Sequence, residues 1–376
     1  MKDPKSEIRE LLHEMALIPA LSGYEERMAA YLTKAVSPFV SEVTSDSLGN
    51  VIARIDGRNT EGPRVMVFAH MDQLGFVVRK ISPTGLIQIE RLGGIPEKVL
   101  PGLRVTIISE AGRELQGVIG VKSHHATKVE EKYTVTLYSE LYVDLGASSA
   151  EEVETLGVAV GNPVVYEPRF TALQGDRVSA TSIDDRGGCS VLIKLAEYFG
   201  SHPPDSTLYL VGTVQEEFNL RGAMVAANQI QPDAAISLDI FISCDTPDLT
   251  ERSSLKLGGG PVMGMYTFHG RGTLNGTIPH PALVRLFQGA ARSRNIPLQR
   301  SANIGTLTDS SYVQLVNAGV PCIDLGFATR YTHTPVEVCD LGDLEALYSL
   351  LVAGLSSMGP DFDFSRVPVS TTLGSE

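Results

Sequence analysis

Two histidines and a series of acids sit where short apolar runs come to an end. RVMVFA runs into His70, with Asp72 two residues on, and SIDDRGG sets Asp184 and Asp185 ahead of a glycine-opened helix. TLYLVGTV leads to Glu216 and Glu217, AAISL ends at Asp239, and VPCIDLGF is followed after a short loop by His333 in RYTHTPVE. Imidazole and carboxylate are borderline nitrogen and oxygen donors, suited to Zn2+, Co2+ or Mn2+. Two imidazoles with three carboxylates suffice for a pair of such ions if one carboxylate lies between them. The adjacent glutamates can then divide the chemistry, one holding metal and the other moving a proton, because a carboxylate engaged on metal makes a poor base. Taken alone, the Glu216–Glu217 pair has a plainer reading, as acids at the positive end of a helix beginning near 219. In a parallel α/β sheet, however, sites form beyond the carboxyl ends of the strands. All five stretches deliver their acids and imidazoles to that one edge.

Such convergence requires particular elements. SEIRELLHEMALI and YEERMAAYLTKAV carry helical spacing, and RVMVFAH reads as a short strand. From 73 to 167 the texture changes to LGFVVRKI, LIQIERL, RVTIIS, LQGVIGV and YTVTLYS, short β-type runs parted by Gly, Pro and Ser turns. That is the pattern of a small all-β barrel or sandwich. Beyond 168, strands at TLYLVGTV, AAISLD and VPCIDLGF alternate with helices near 187–199, 220–229, 280–293, 309–318 and 343–356. The alternation implies a mostly parallel sheet flanked by helices. The chain therefore reads as one α/β domain, residues 1–72 and 168–376, split by an inserted β-domain at 73–167. The tail from about 360 reads as a loosely held end.

Composition narrows the function classes. A chain of 376 residues with 43% hydrophobic and 20% charged residues is globular and long enough for two cores. A net charge of −13 with no Lys/Arg-rich block argues against a nucleic-acid partner. Cys189, Cys244, Cys322 and Cys339 have no paired spacing, which fits a reducing compartment. The N-terminal stretch lacks a signal-peptide h-region, and no run is long enough for a membrane span. A cytoplasmic protein is the expectation. No GxSxG nucleophile motif occurs, and the glycine run at 258–260 reads as a loop because no phosphate-binding helix follows it.

AHMDQLGF, SIDDRGGCSVL, TVQEEFNLRGA, SLDIFISCDTPD and ATRYTHTPVE resemble, in order and spacing, the metal motifs of one family. It is the tetrahedral (TET) type of dinuclear metallo-aminopeptidase, which includes bacterial glutamyl aminopeptidases. GVIGVKSHHATK and LYVDLGASSAEE are similar to stretches of its inserted β-domain, and the likeness runs from near residue 5 to about 356. The resemblance implies a zinc-exopeptidase-like α/β domain carrying two divalent metal ions per subunit. His70 and Asp239 would each hold one metal, Asp184 would bridge, and Glu217 and His333 would complete the set. Glu216 would be the general base for a metal-activated hydroxide, and Asp72 would bond the far nitrogen of His70. It further implies a cis peptide between Asp184 and Asp185, short peptides as substrates, and a barrel that pairs subunits into dimers and six dimers into a dodecamer. The alternatives are a dinuclear amidohydrolase acting on another N-acyl substrate, and a non-catalytic assembly scaffold.

Three departures from the family pattern stand out: Gln73 in place of Glu, a longer loop at 264–279, and IGTLTDSS within the loop at 303–311. Among the other polar residues, Asp185 is expected to pair with Arg186, and Asp309 has a substrate-facing reading beside a structural one. His13 and His202 read as surface or packing residues, and His280 as a helix start. His124 and His125 belong to the β-domain, with a contact reaching a pocket as the functional alternative.

Overall fold

The computed structural model of the chain describes residues 3–270 and 274–366. A nine-stranded mixed sheet runs in the order Glu42–Ser45, Val51–Ile55, Thr207–Thr213, Arg64–His70, Ala234–Ile242, Cys322–Thr329, Val262–Phe268 and Gly276–Thr277, with Gln299–Ile304 also paired to Val262–Phe268. The four central strands, from Thr207–Thr213 to Cys322–Thr329, are parallel. Antiparallel neighbours flank them on both sides. The central strands are rich in Val, Ile, Leu and Ala because both faces are covered, as parallel sheets require. Helices Pro4–Ala16, Ile183–Ser201 and Leu341–Leu355 pack one face through residues such as Ile8, Leu12, Leu195, Phe199 and Leu347. Helix Gly222–Ile230 and the short helix Ser310–Val313 cover the other through Ala223, Ala226, Ala227 and Val313. Each fully buried Leu or Phe contributes about 1.5–3 kcal/mol.

The chain leaves this sheet at His70 and builds a closed barrel. Its strands run Gly75–Ile81, Ile87–Leu92, Tyr142–Asp144, Glu114–Ile119, Arg104–Ile108 and Pro163–Tyr166 around the ring. Every pairing is antiparallel, including the one that closes the barrel between Phe76 and Val164. Closure leaves no free edge to template pairing. The barrel has its own core of Phe76, Ile87, Ile89, Val105, Ile107, Val143 and Val164.

Two elements differ from the sequence reading. YTVTLYS forms no strand: Tyr133 is 91% exposed, and Tyr138–Glu140 is a 3-10 turn. Its alternation of Tyr, Val and Leu meets no partner strand, and the ring is completed instead by Tyr142–Asp144 and Pro163–Tyr166. The helix expected over 309–318 is confined to Ser310–Val313 and gives way to turns through Asn317, at φ 53, and Gly319, at φ 99. Part of the atypical 264–279 loop and the tail beyond 366 lie outside the described residues. The glycine run at 258–260 is a loop, held where the Asp343 carboxylate accepts the amides of Gly258 at 2.8 Å and Gly260 at 2.7 Å.

Registers set the strand ends beside one another. Thr213 is level with His70, and Ser237 with Phe68, so Asp239 comes up beside His70. Just past the ends, Arg330 grips Asp245 with Nε and Nη2, both at 2.7 Å. Desolvation opposes ionisation of Asp245, but this pair overcomes it and draws the pKa down to about 2. The bonds contribute about 1.5–3 kcal/mol and tie together the strands that lead to Asp239 and His333.

Candidate metal centre

His70 ends its strand, and its ring is aimed by backbone. Nδ1 donates to the Asp72 carbonyl at 3.1 Å, which turns Nε2 toward Asp184 Oδ1 at 2.8 Å. The Asp72 carboxylate lies farther from Nδ1, at 3.7 Å. The expected bond to the far nitrogen is therefore made by the Asp72 main chain rather than its side chain. The carboxylate is engaged elsewhere: Oδ1 accepts the Glu216 amide at 3.0 Å, Oδ2 accepts the Glu217 amide at 3.1 Å, and Ser22 Oγ donates to Oδ2. Asp72 is fully buried, so these donors replace the water its charge has lost.

Glu216 and Glu217 do not sit on the strand. The strand ends at Thr213, and a turn follows in which Gln215 has φ 57. Glu25 Oε1 accepts the Gln215 amide at 3.0 Å and the Gly23 amide at 2.7 Å, so the amides of 215, 216 and 217 all end on buried acids. Helix Gly222–Ile230 begins only after this turn, so neither glutamate is a helix-terminal acid.

Asp184 opens the Ile183–Ser201 helix in non-helical conformation, and the Asp184–Asp185 peptide is cis, as the family resemblance implied. Its Oδ1 faces His70, and its Oδ2 lies 3.5 Å from His333 Nε2. His333 Nε2 is also 3.7 Å from Glu217 Oε1. The His333 ring is turned this way because Nδ1 donates to the Gly94 carbonyl at 2.7 Å. Gly94 follows barrel strand Ile87–Leu92, so the barrel takes part in building the site. A Cβ on Gly94 would come within 3.1 Å of His333 Nδ1, and one on Gly93, at φ 90, would meet the Leu74 Cβ at 2.7 Å.

The ligand atoms fall into two groups, His70–Asp184–Asp239 and Asp184–Glu217–His333, each with its atoms within 4.8 Å of one another. Asp184 belongs to both. Among the described residues no Lys or Arg forms an ion pair with any of the five. Both histidines present Nε2 while Nδ1 is committed to a carbonyl, the tautomer in which Nε2 can donate a lone pair to a metal. The donor set therefore fits a divalent cation.

The electrostatics agree. Desolvation and the neighbouring Asp184 push Asp239 well above the usual carboxylate range, and desolvation, Asp239 and Glu217 do the same to Glu216. Glu217 is pushed up to about 7, mainly by desolvation. Desolvation would lower the pKa of His70, but the bond to Asp184 and the charges of Glu216 and Asp184 outweigh it and raise it. For Asp184 the two imidazoles outweigh desolvation, and its pKa falls.

Residues singled out from sequence separate clearly. Asp185 makes no ion pair with Arg186 among the described residues; its Oδ1 accepts the Gly188 amide at 2.9 Å. Arg186 is wholly buried and reaches the Ile18 carbonyl at 3.4 Å. Asp309 faces inward, accepting from Thr213 Oγ1 at 3.0 Å, so it does not line the cleft. Gln73 is buried and its Oε1 accepts the Ala20 amide at 3.0 Å, while the residue lines a small pocket together with Asp184, Glu217 and His333. His280 caps helix Pro281–Arg294, while His13, His124, His125 and His202 lie on the surface. Sequence reasoning missed Glu337, in the very stretch that contains His333. It is 2% exposed and accepts the amides of both Asp184 and His333.

A cleft of about 770 Å3 opens over Asp184, Glu216, Glu217, Asp239 and His333. Its remaining wall includes Ile240, Ile242, Leu307, Phe218, Arg91 and His269.

A family model described as M42 glutamyl aminopeptidase matches residues 49–350. The SgcX protein of Escherichia coli (strain K12) is 38% identical over 352 residues, 93% of this chain and 94% of its own length. The lysyl aminopeptidase of Pyrococcus furiosus is 32% identical over 359 residues, 95% of this chain and 99% of its own. Among solved structures, aminopeptidase APDkam598 of the archaeon Desulfurococcus kamchatkensis superposes with a TM-score of 0.91 at 31% identity, over 98% of this chain and 99% of that one. The TET1 peptidase of Pyrococcus horikoshii, described as assembling into a tetrahedron or a large octahedral shell, gives 0.82 at 30% identity over 93% and 99% of the two chains.

Divalent metal is expected to stabilise this protein, by about 2.7 kcal/mol per site at a free concentration one hundred times Kd. Calorimetric melting with Zn2+ or Co2+, reversed by a chelator, measures the effect. Protons compete for the same carboxylates. Glu217 is protonated below about 7 in the metal-free protein, so metal affinity weakens as pH falls through that value and recovers above it. Titration calorimetry at pH 6 and pH 8 checks the sign, and a pH-independent affinity would contradict it.

Proposed function

The chain belongs to the M42 glutamyl aminopeptidase family, and on that premise we propose that it removes the first residue of short peptides at a centre for two divalent metal ions. The observation that carries this reading is the pair of ligand groups sharing Asp184. His70 and Asp239 would hold one ion, Glu217 and His333 the other, and Asp184 both. When bound, such a pair supplies Lewis acidity toward a peptide carbonyl and acidifies water. Glu216 belongs to neither group yet lines the same cleft, which leaves its carboxylate free to take a proton from the attacking water and deliver it to the leaving nitrogen. Its amide bond to Asp72 holds it beside Glu217 without involving its side chain. The complete ligand set and base weigh against a non-catalytic scaffold. Release of a free amino acid from an unblocked dipeptide separates the peptidase reading from action on another N-acyl substrate.

We also assign the barrel the task of pairing subunits. Its exposed loop carries Val121, Val129 and Tyr133, which are 61%, 69% and 91% exposed. Scattered single apolar residues need no explanation, but a run of them on one loop is the kind of surface that marks an interface. A solved structure described as PhTET1-12s, 30% identical to this chain, contains a dodecamer, and six dimers closing on themselves would use every such patch. The four cysteines are free and buried, which suits the cytoplasm as the compartment. No helix among the described residues is long and apolar enough to cross a membrane.

Three experiments test the proposal. Glu216→Gln should keep metal content and lower kcat by at least roughly 10²-fold, whereas Glu217→Gln should lose metal; equal metal loss in both reverses or abolishes the assignment. Every carboxylate among the described lining residues is either a proposed ligand (Asp184, Glu217, Asp239) or the proposed base (Glu216), and Arg91 and His269 are basic, so a Lys or Arg first residue finds no uncommitted counter-charge. Dipeptides beginning with Lys or Arg should show kcat/KM at least about 10-fold below those beginning with Leu; a preference for Lys contradicts this cleft reading. Light scattering of the metal-loaded protein should give a mass near twelve times 40.4 kDa. A stable monomer would rule out both dimer and shell.

A further inference from the structure

Strand Glu337–Asp340 pairs with Arg177–Ala180 so that Glu337 lies opposite Ala180. From that single rung two segments diverge, one forward through residues 181–183 to Asp184, the other back through 336–334 to His333. Glu337 stands where they part. Its Oε2 accepts the Asp184 amide at 3.0 Å and its Oε1 accepts the His333 amide at 2.7 Å. Among the described residues no Lys or Arg pairs with it, so both oxygens serve backbone donors.

We propose that Glu337 is a positioning residue whose carboxylate clamps Asp184 and His333 and so preorganises the Asp184–Glu217–His333 metal position before an ion arrives. This rests on the two-ion reading above. The two positions are built differently. His70 and Asp239 lie in neighbouring strands whose ladders hold them. Glu217 and His333 lie in loops, and His333 has φ 65, a conformation that side-chain-bearing residues disfavour. A loop residue in that region keeps its place only if its surroundings enforce it. For His333 the enforcing groups are Glu337 at the amide, Gly94 at Nδ1, and Tyr166, whose hydroxyl donates to the His333 carbonyl at 3.3 Å. In the metal-free protein, with a proton on His70 Nε2, Asp184 has that nitrogen as a second anchor, whereas the His333 main-chain N–H has Glu337. Removing the clamp should therefore damage one metal position more than the other.

Glu337→Gln tests this with little change of shape. An amide offers one accepting oxygen, so its NH2 must face one of the two backbone N–H groups and that bond is lost. The metal-free full-length wild type and variant would be titrated with Co2+, followed by visible absorption and calorimetry. The wild type should take two equivalents. In the variant one equivalent should bind within about 3-fold of wild type and the other at least about 10-fold more weakly, the scale typical of lost outer-sphere partners. Two equivalents bound as in wild type, or both weakened alike, overturns the clamp. A wild type that takes a single equivalent overturns the two-ion reading, and the clamp with it. Should the variant fail to fold, amide hydrogen exchange on the metal-free wild type decides: the His333 amide should exchange at least about 10-fold more slowly than an open loop amide, and free exchange would refute a preformed clamp.

Discussion

Carboxylates crowded out of water are the constraint on which this structure turns. Two like charges 4 Å apart repel by about 4 kcal/mol at an effective dielectric constant near 20, and Asp72, Asp184, Glu216, Glu217 and Asp239 share one site. The fold answers in two ways. Some charges are distributed onto backbone amides: Asp72 takes those of Glu216 and Glu217, Glu25 that of Gln215, and Glu337 those of Asp184 and His333. Among the described residues Asp239 accepts only the amide of the next residue, Ile240, and Asp184, Glu216 and Glu217 face the cleft with imidazole as their nearest positive partner, a repulsion that a divalent cation would relieve. Acids that hold amides distant in sequence and acids left facing the cleft are thus two different populations, and the proposed function gives positioning to the first and ligation or proton transfer to the second.

The amide-bound population explains how irregular backbone survives around the site. Gln215 and His333 both have positive φ without being glycine. Each is followed or held by amides that end on a buried acid, so the same bonds that satisfy the acid also enforce the loop. The parallel strands need no such help. Their registers bring His70 and Asp239 level, and the Asp245–Arg330 pair joins the strands just past their ends.

The barrel has two roles that the main sheet cannot fill. Its Gly94 carbonyl orients the His333 ring, across a contact so close that a side chain on Gly94 would intrude. Its exposed apolar loop provides the surface suited to a partner subunit. The same element thus both carries the surface proposed for subunit pairing and orients the His333 ring.

Much of this was legible in the chain itself. Apolar runs ending in His70 and Asp239 encode two buried strands that carry candidate ligands toward one edge of the sheet, although only the first strand stops at its candidate and the second continues past Asp239 to Ile242. The change of texture after residue 73 encodes the barrel, because short runs and turns cannot sustain helices. YTVTLYS shows the limit: its alternation satisfies the local requirement for a strand, but pairing depends on a neighbour that the fold places elsewhere. Glu216 and Glu217 read as a strand end, whereas tertiary amide bonds to Asp72 and Glu25 bend the chain into a turn first. The family resemblance implied a bond from Asp72 to the far nitrogen of His70, yet only the folded loop decided that its carbonyl takes the ring and its carboxylate takes the amides. Glu337 and Gly94 were invisible for the same reason. Their work is done by hydrogen bonds to partners distant in sequence, 153 residues away for Glu337 and Asp184 and 239 for Gly94 and His333. Residue type and spacing determined which groups could bind metal; long-range backbone hydrogen bonds, which leave no periodic trace, decided which atoms face it.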